Sequence, residues 1–475
     1  MVKKTIIIFL TLLIVLLSGC QNKTTDNYSS NTPEFIGEKQ TIKSSENSLP
    51  DWIDDSVMYE VNIRQYTPEG TFEAFEEHLP RLKDLGVEIL WFMPIHQISL
   101  EKRNGTLGSY YSVQSYYSVN PEFGTVADWT HLVDTAKSMG FRIFMDIVFN
   151  HTGWDNPWMT EHPEYYTKIN GNFIHPSGTD WYDVAELNTA NDDLITALGD
   201  ILVFWVQEFD IDGFRCDYAS GLEKSTWDTL RGRVESVKPD IFFLAEDNSR
   251  YDWFNIFNAN YGGWDLLSHL TNIYRGYEDK DDLINYLKLA NGRYLQGTFP
   301  LNFVTNHDIN SWNGTIKTRL GNSSDLMTML SFTLPGMPLI YSGQESTDEI
   351  MLEFFEKDLI SWNDYDYQDE LEYLVDLKLN HQALYNDNFT NSTDFLFTDE
   401  SDILAFVRYD LEADDYVLVI ANLSNKSITS TVHMNKYLGQ WIDQFDNELY
   451  LDEYHEFSLG AFEYVVYSHN LGNIS

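Results

Sequence analysis

Cysteine is almost missing: Cys20 and Cys216 are the only 2 among 475 residues. Such a chain is not a disulfide scaffold, so its stability has to come from a packed core. Basic residues are scarce as well. Lys and Arg number 30 against 74 Asp and Glu, a formal net charge of −44. A surface of that sign repels phosphate backbones and anionic lipid. It argues against nucleic acid as a partner and leaves a neutral ligand open. No segment after the N-terminal leader is apolar enough to span a bilayer. No Gly-x-Gly-x-x-Gly follows the first strand-like segment and no Gly-x-x-x-x-Gly-Lys-Ser/Thr occurs, so a nucleotide-binding fold lacks its glycine loop. His-Glu-x-x-His and paired Cys/His spacings are absent too, which argues against zinc. What is plentiful is apolar. The 43% hydrophobic and 15% aromatic content supports a full core and excludes global disorder.

The N-terminus reads as a leader, residues 1–20. "MVKK" is basic, "TIIIFLTLLIVLL" is apolar but short for a membrane span, and "SGC" closes it. Leu17-Ser18-Gly19-Cys20 resembles the bacterial lipobox. That resemblance implies export and a lipid on Cys20, anchoring the protein on the extracytoplasmic face of the cell membrane. The other reading is an ordinary signal peptide that ends in Cys. With Cys20 acylated, no disulfide can form. Residues 21–50 are polar and aperiodic and read as a flexible tether. Its reach is on the order of 30 Å.

A rhythm of strand and helix begins near residue 55. "SVMYEVNI", "VEILWFMP", "FRIFMDIVFN", "IDGFRCD", "IFFLAED", "LNFVTNHD" and "MPLIYSGQE" read as strands, and a sixth in order falls within "WDLLSHLTNIYRG". Helical segments such as "TVADWTHLVDTAKSMG" and "DDLITALGDILVFWVQEF" alternate with them. Near-continuous apolar strands indicate a parallel sheet buried on both faces. Eight βα units predict a (β/α)8 TIM barrel over 51–395. Residues 151–190 break the rhythm after strand three as an inserted small domain rich in aromatics. At least one of Trp154, Trp158, Tyr165, Tyr166, Trp181 and Tyr182 is expected to line a cleft. From 396 to 475 short strands and turn signals predict a C-terminal antiparallel β-sandwich.

Polar residues gather where the strands end. In "DGFRCD", strand alternation puts Arg215 and Asp217 on one face and Phe214 and Cys216 on the other. Alone, that pair is a structural ion pair or a tuned carboxylate. Strand three, however, ends with Asp146 and Asn150-His151, strand five with Glu246-Asp247, and strand seven with Asn306-His307-Asp308. In a closed barrel these ends meet at one rim, where barrel active sites lie. Carboxylates placed there in register are too costly to be packing alone.

Those motifs, "DIVFNH" (146–151), "GFRCD" (213–217), "AE" (245–246) and "TNHD" (305–308), resemble glycoside hydrolase family 13, the α-amylase family, in order and spacing. "GSYYSVQSYYSVNPEFGT" (108–125) and "VAELN" (184–188) resemble two further family segments. The resemblance implies Asp217 as nucleophile, Glu246 as general acid/base and Asp308 as the third carboxylate. It implies Arg215 beside the nucleophile, and His151 and His307 on the sugar in the −1 subsite. It also implies Tyr111 stacked on that sugar and Asp146 supporting the rim. A retaining glycosidase needs one ionised and one protonated carboxyl, so Arg215 is expected to keep Asp217 ionised and burial to keep the proton on Glu246.

The chain departs from the family at Ser220 and Gly221, where Lys-His is common, and at Ser115 in place of an Asp. The first departure leaves specificity open. The resemblance also implies a Ca2+ site from Asn150, Glu186 and the Gly221 carbonyl, with a hydrogen-bonded polar network as the alternative. No organic cofactor is expected. The activity implied is retaining cleavage of α-1,4 bonds in starch, glycogen or maltooligosaccharides. Maltogenic or cyclodextrin-cleaving action, α-glucosidase and glucan transfer are alternatives within the family. A non-catalytic glucan-binding protein is the alternative outside it.

Overall fold

A computed structural model describes residues 49–470 apart from 348–349, 387, 389–391 and 446. The leader, Cys20 and nearly all of the tether lie outside the described residues. Eight strands close on themselves in chain order: β1 Met58–Val61, β2 Ile89–Phe92, β3 Arg142–Ile147, β4 Gly213–Cys216, β5 Phe242–Ala245, β6 Ala259–Asn260, β7 Phe299–Asn302 and β8 Met337–Tyr341. Every pairing is parallel, including β8 with β1. The expected (β/α)8 barrel is therefore present.

The helices follow their sequence signals. Thr125 and Asp128 form a reciprocal capping box at the start of Val126–Ser138. Asn191 caps Asp192–Phe209 through its side-chain oxygen. Residues 264–274 of the segment expected to hold strand six are instead part of the helix Gly263–Tyr274. Leu266, Leu267, Leu270 and Ile273 are its buried residues, a helical spacing. The strand itself lies just before it and is two residues long, too short to carry any period.

The barrel interior is packed rather than hollow. Phe144, Phe242 and Phe299 touch in series at 5.4 and 6.0 Å, with Trp52 against the first two. Gly213 lies on this layer because a Cβ there would meet the Phe144 ring at 2.5 Å. Two residues further along β4, Arg215 faces the same interior. Phe214 packs on Phe243, and Cys216 is a fully buried free thiol.

The excursion after β3 folds as a small unit. Its first strand, His151–Gly153, pairs antiparallel with Val184–Glu186. A two-residue hairpin, Lys168–Ile169 with Asn172–Phe173, lies between them. Beyond the barrel, a six-stranded and a three-stranded antiparallel sheet follow from Thr393 onward. Ile403, Leu418 and Ile420 from the first sheet share a core with Val432, Phe457 and Leu459 from the second. The hairpin Gly439–Asp443 with Glu448–Leu451 was not read from the sequence. The barrel and these sheets are tied together by Arg408, whose Nη1 donates to the Thr333 carbonyl at 3.0 Å. Among the described residues no helix is long and apolar enough to cross a membrane.

Candidate active site

Register places the first elements. Arg215 on β4 is the Cα partner of Asp146 on β3. The Arg215 guanidinium is fully buried and reaches three carboxyls. Its Nη1 donates to Asp146 at 2.9 and 3.1 Å and to Asp217 at 2.9 Å. Its Nη2 forms an ion pair with Glu246 at 3.0 Å. Its Nε donates to the Tyr261 hydroxyl at 3.1 Å. Trp91, Tyr111 and Tyr261 surround it with rings at 5.4, 5.6 and 5.4 Å. A cation held this way is over-determined in position.

One guanidinium cannot neutralise three buried carboxylates, so the site favours retention of a proton. Burial pushes Glu246 up, Arg215 counters it in part, and the charges of Asp217 and Asp308 push it further, to about 8. Burial likewise raises Asp146, to about 7, against the pull of Arg215. Glu246 is also held by backbone. Tyr218 adopts a left-handed conformation, φ 40°, and its N–H donates to Glu246 Oε2 at 2.6 Å. The proton on Glu246 is present at neutral pH and is lost as pH rises through about 8. An alkaline limb of activity near that pH is the expected result. A limb two units lower would show that Glu246 has already lost its proton at neutral pH.

His307 sits behind the rim. One ring nitrogen, Nδ1, bonds Glu60 of β1, and Nε2 meets the Tyr111 hydroxyl at 2.8 Å. The Tyr111 hydroxyl also donates to Asp146 Oδ2 at 3.0 Å. Asp308 Oδ2 lies 3.4 Å from His307 Nε2, and its side chain is 33% exposed. His151 is buried, and burial lowers its pKa.

A cleft of about 740 Å³ opens onto these groups, with Tyr111, His151, Asp217, Glu246 and Asp308 in its wall. The remaining wall is largely aromatic. Trp181 and Tyr218 meet edge to face at 5.4 Å on one side. Phe354 stacks nearly parallel to Tyr111 at 6.2 Å, with Trp312 against it at 5.4 Å. Flat apolar rings beside carboxyls suit a sugar, whose faces are apolar and whose edges are polar. A second cavity, about 400 Å³ beside Thr328, Ser342 and Tyr367, contains none of these carboxyls.

The predicted residues therefore come together, with differences of placement. Asp146, Arg215 and His307 lie beneath the cleft wall rather than in it. Of the aromatics in the excursion, Trp181 lines the cleft, while Tyr165 and Tyr166 are buried in its core. The sequence reading missed Glu60, Trp91, Tyr261 and Phe354. Glu60 carried a usable signal, a lone carboxylate inside the apolar run "MYEV". Phe354 follows β8 in a segment with no periodic pattern.

Of the three residues read as calcium donors, Asn150 and Gly221 are neighbours. A Cβ on Gly221 would lie 2.4 Å from Asn150 Oδ1. Glu186 instead accepts the Ser177 N–H through Oε2 at 2.7 Å. Among the described residues no group of three or more His, Cys, Asp and Glu could hold a metal. Ca2+ takes six to eight oxygens, so the donors as placed do not make a full cage. No chemical step is assigned to a metal.

Known proteins resemble this chain. The family model "Alpha amylase, catalytic domain" matches residues 39–184. Alpha-amylase 2 of Dictyoglomus thermophilum is 23% identical over 441 residues, covering 84% of this chain and 74% of that protein. An intracellular maltogenic amylase of Bacillus subtilis is 28% identical over 248 residues, covering 45% of this chain and 40% of that one. The crystal structure of an alpha-amylase from Lactobacillus plantarum superposes with a TM-score of 0.78 at 25% identity, covering 87% of this chain and 99% of that chain.

Proposed function

We propose that this enzyme, a glycan hydrolase or transferase carrying an alpha-amylase catalytic domain, cleaves α-1,4-glucosidic bonds in starch, glycogen or maltooligosaccharides with retention. The observation that carries the reading is the single buried guanidinium of Arg215 bridging Asp217 and Glu246 beneath the cleft wall. A retaining pair works at about 5–5.5 Å, and a shared guanidinium keeps these two carboxyls close to one another.

The roles follow from position. Asp217 attacks the anomeric carbon as Glu246 gives its proton to the departing glycosidic oxygen. The C–O bond to the leaving sugar breaks, and a covalent glycosyl–Asp217 ester forms. Glu246, now ionised, takes a proton from water, which attacks the same carbon and frees Asp217. Asp308 shares the cleft wall with this pair and supplies negative charge to the oxocarbenium-like transition state. Tyr111 offers its ring to the sugar face, and His151 a ring nitrogen to a hydroxyl. Asp146 fixes Arg215.

A second reading is transfer to a sugar instead of water. The edge-to-face pair Trp181 and Tyr218 beside Asp217 favours it, because an aromatic wall on the leaving side retains an acceptor sugar and excludes water. Export and a lipid on Cys20 belong to the same proposal, since an anchored enzyme outside the cell meets glucans too large to import. The test is incubation of the full chain with soluble starch and chromatography of the products. Short oligosaccharides of mixed length mark endo cleavage, maltose alone marks exo cleavage, and products longer than the substrate mark transfer. A folded protein that turns over no α-glucan sinks the reading.

A further inference from the structure

Glu60 is the buried acid that the mechanism above leaves unused. It sits within the apolar β1 strand and is fully buried. Its Oε1 bonds His307 Nδ1, and its Oε2 has no hydrogen-bond partner among the described residues. An uncompensated carboxylate in that position is costly. Around His307 stand Glu60 from β1, Trp91 from β2, Tyr111 from the loop after β2, Asp146 from β3, Arg215 from β4 and its own neighbour Asp308, while Tyr341 from β8 faces Glu60 and Asp308.

With Glu60 ionised, hydrogen-bond supply then limits the charge states of His307. Tyr111 has one hydroxyl proton and two nearby acceptors, Asp146 Oδ2 at 3.0 Å and His307 Nε2 at 2.8 Å. A neutral His307 donating through Nδ1 to Glu60 would need that proton at Nε2 and leave Asp146 without it. A His307 protonated on both nitrogens satisfies all three contacts: Nδ1–H to Glu60, Nε2–H to the Tyr111 oxygen, and Tyr111 O–H to Asp146.

We propose that Glu60 is a positioning residue. By keeping both ring nitrogens of His307 protonated it orders the chain Glu60–His307–Tyr111–Asp146 and sets a buried cation beside Asp308. The inference rests on the glycosidase reading for its catalytic consequence. Burial alone lowers His307, but the charges of Asp308 and Glu60 outweigh it and bring the ring up to about 9. The cation is thus present at neutral pH and lost as pH rises through about 9. Its place under Tyr111, whose ring is stacked on His307 at 5.5 Å and 20°, holds the face offered to the sugar.

The test is 15N NMR of the full chain labelled at histidine, with His307→Gln to assign the signal. Both ring nitrogens of His307 are expected to be protonated at pH 7. In Glu60→Gln, which keeps shape and removes the charge, the His307 midpoint should fall by about one unit or more. Turnover of a maltooligosaccharide at pH 8 should drop about tenfold in kcat with KM nearly unchanged. A neutral His307 at pH 7 in the parent overturns the proposal with no variant needed, so a Glu60→Gln chain that fails to fold does not rescue it. A folded Glu60→Gln in which the His307 midpoint stays put overturns it too, because a merely structural Glu60 would lower activity without moving that titration. The titration is read without substrate. A parent that cleaves no glucan counts against the proposed function, and a neutral His307 in a parent that cleaves counts against this inference.

Discussion

Asp217→Asn should abolish turnover, with kcat on maltooligosaccharides down by about 10⁴-fold or more. The amide has the size of the carboxylate and cannot form the glycosyl ester. Its side-chain oxygen can still accept from Arg215 Nη1, which reaches Asp217 at 2.9 Å, and its backbone N–H still bonds the Ile147 carbonyl at 2.9 Å. The fold should therefore persist, and a melting curve beside the kinetics checks that it does. KM should change little, because the sugar is bound by the walls of the cleft. Activity within tenfold of the parent would remove Asp217 from the role of nucleophile.

Glu246→Gln should separate two substrates. On starch, whose leaving group is a poor one, kcat should fall about 10²–10⁴-fold. On an aryl maltoside with an acidic phenol the bond breaks without a proton donor, so formation of the covalent intermediate should be nearly as fast as in the parent. The second step still lacks its base, so a burst of phenol followed by slow turnover is expected. The alkaline limb near pH 8 should also vanish, since the group pushed up to about 8 is gone. Equal losses on both substrates would mean that Glu246 does not protonate the leaving oxygen.

Much of this site was legible as text because barrel chemistry sits at strand ends. "DIVFNH", "GFRCD", "AE" and "TNHD" each end an apolar run, and the closed barrel brings those ends together. The alternation argument for 212–217 also held: Arg215 faces the barrel interior, and Phe214 packs on Phe243 with Cys216 buried on its side of the strand. β6 was misplaced because two residues carry no period, while the following helix supplies a strong apolar one. The aromatic wall from Phe354 and Trp312 was illegible for another reason. It is built by loops, whose side-chain directions depend on tertiary packing rather than on a repeat. Glu60 was visible as an anomaly but had no role until its distance from His307 in sequence, 247 residues, was closed in space.

That closure also constrains how the molecule acquires activity. Asn62, one residue beyond β1, donates its backbone N–H to the Ser342 hydroxyl oxygen, 280 residues later, just past β8. The first and last staves of the barrel thus meet only when nearly all of the domain has been synthesised. Pairings so remote in sequence are slow to form, because chain entropy is spent before contacts return it. The residues proposed for catalysis follow staves three, four, five and seven, with Glu60 on the first, so no early fragment holds a complete site. Enzyme activity in this chain is a late folding event, and its first appearance during refolding reports the moment at which the ring of strands seals.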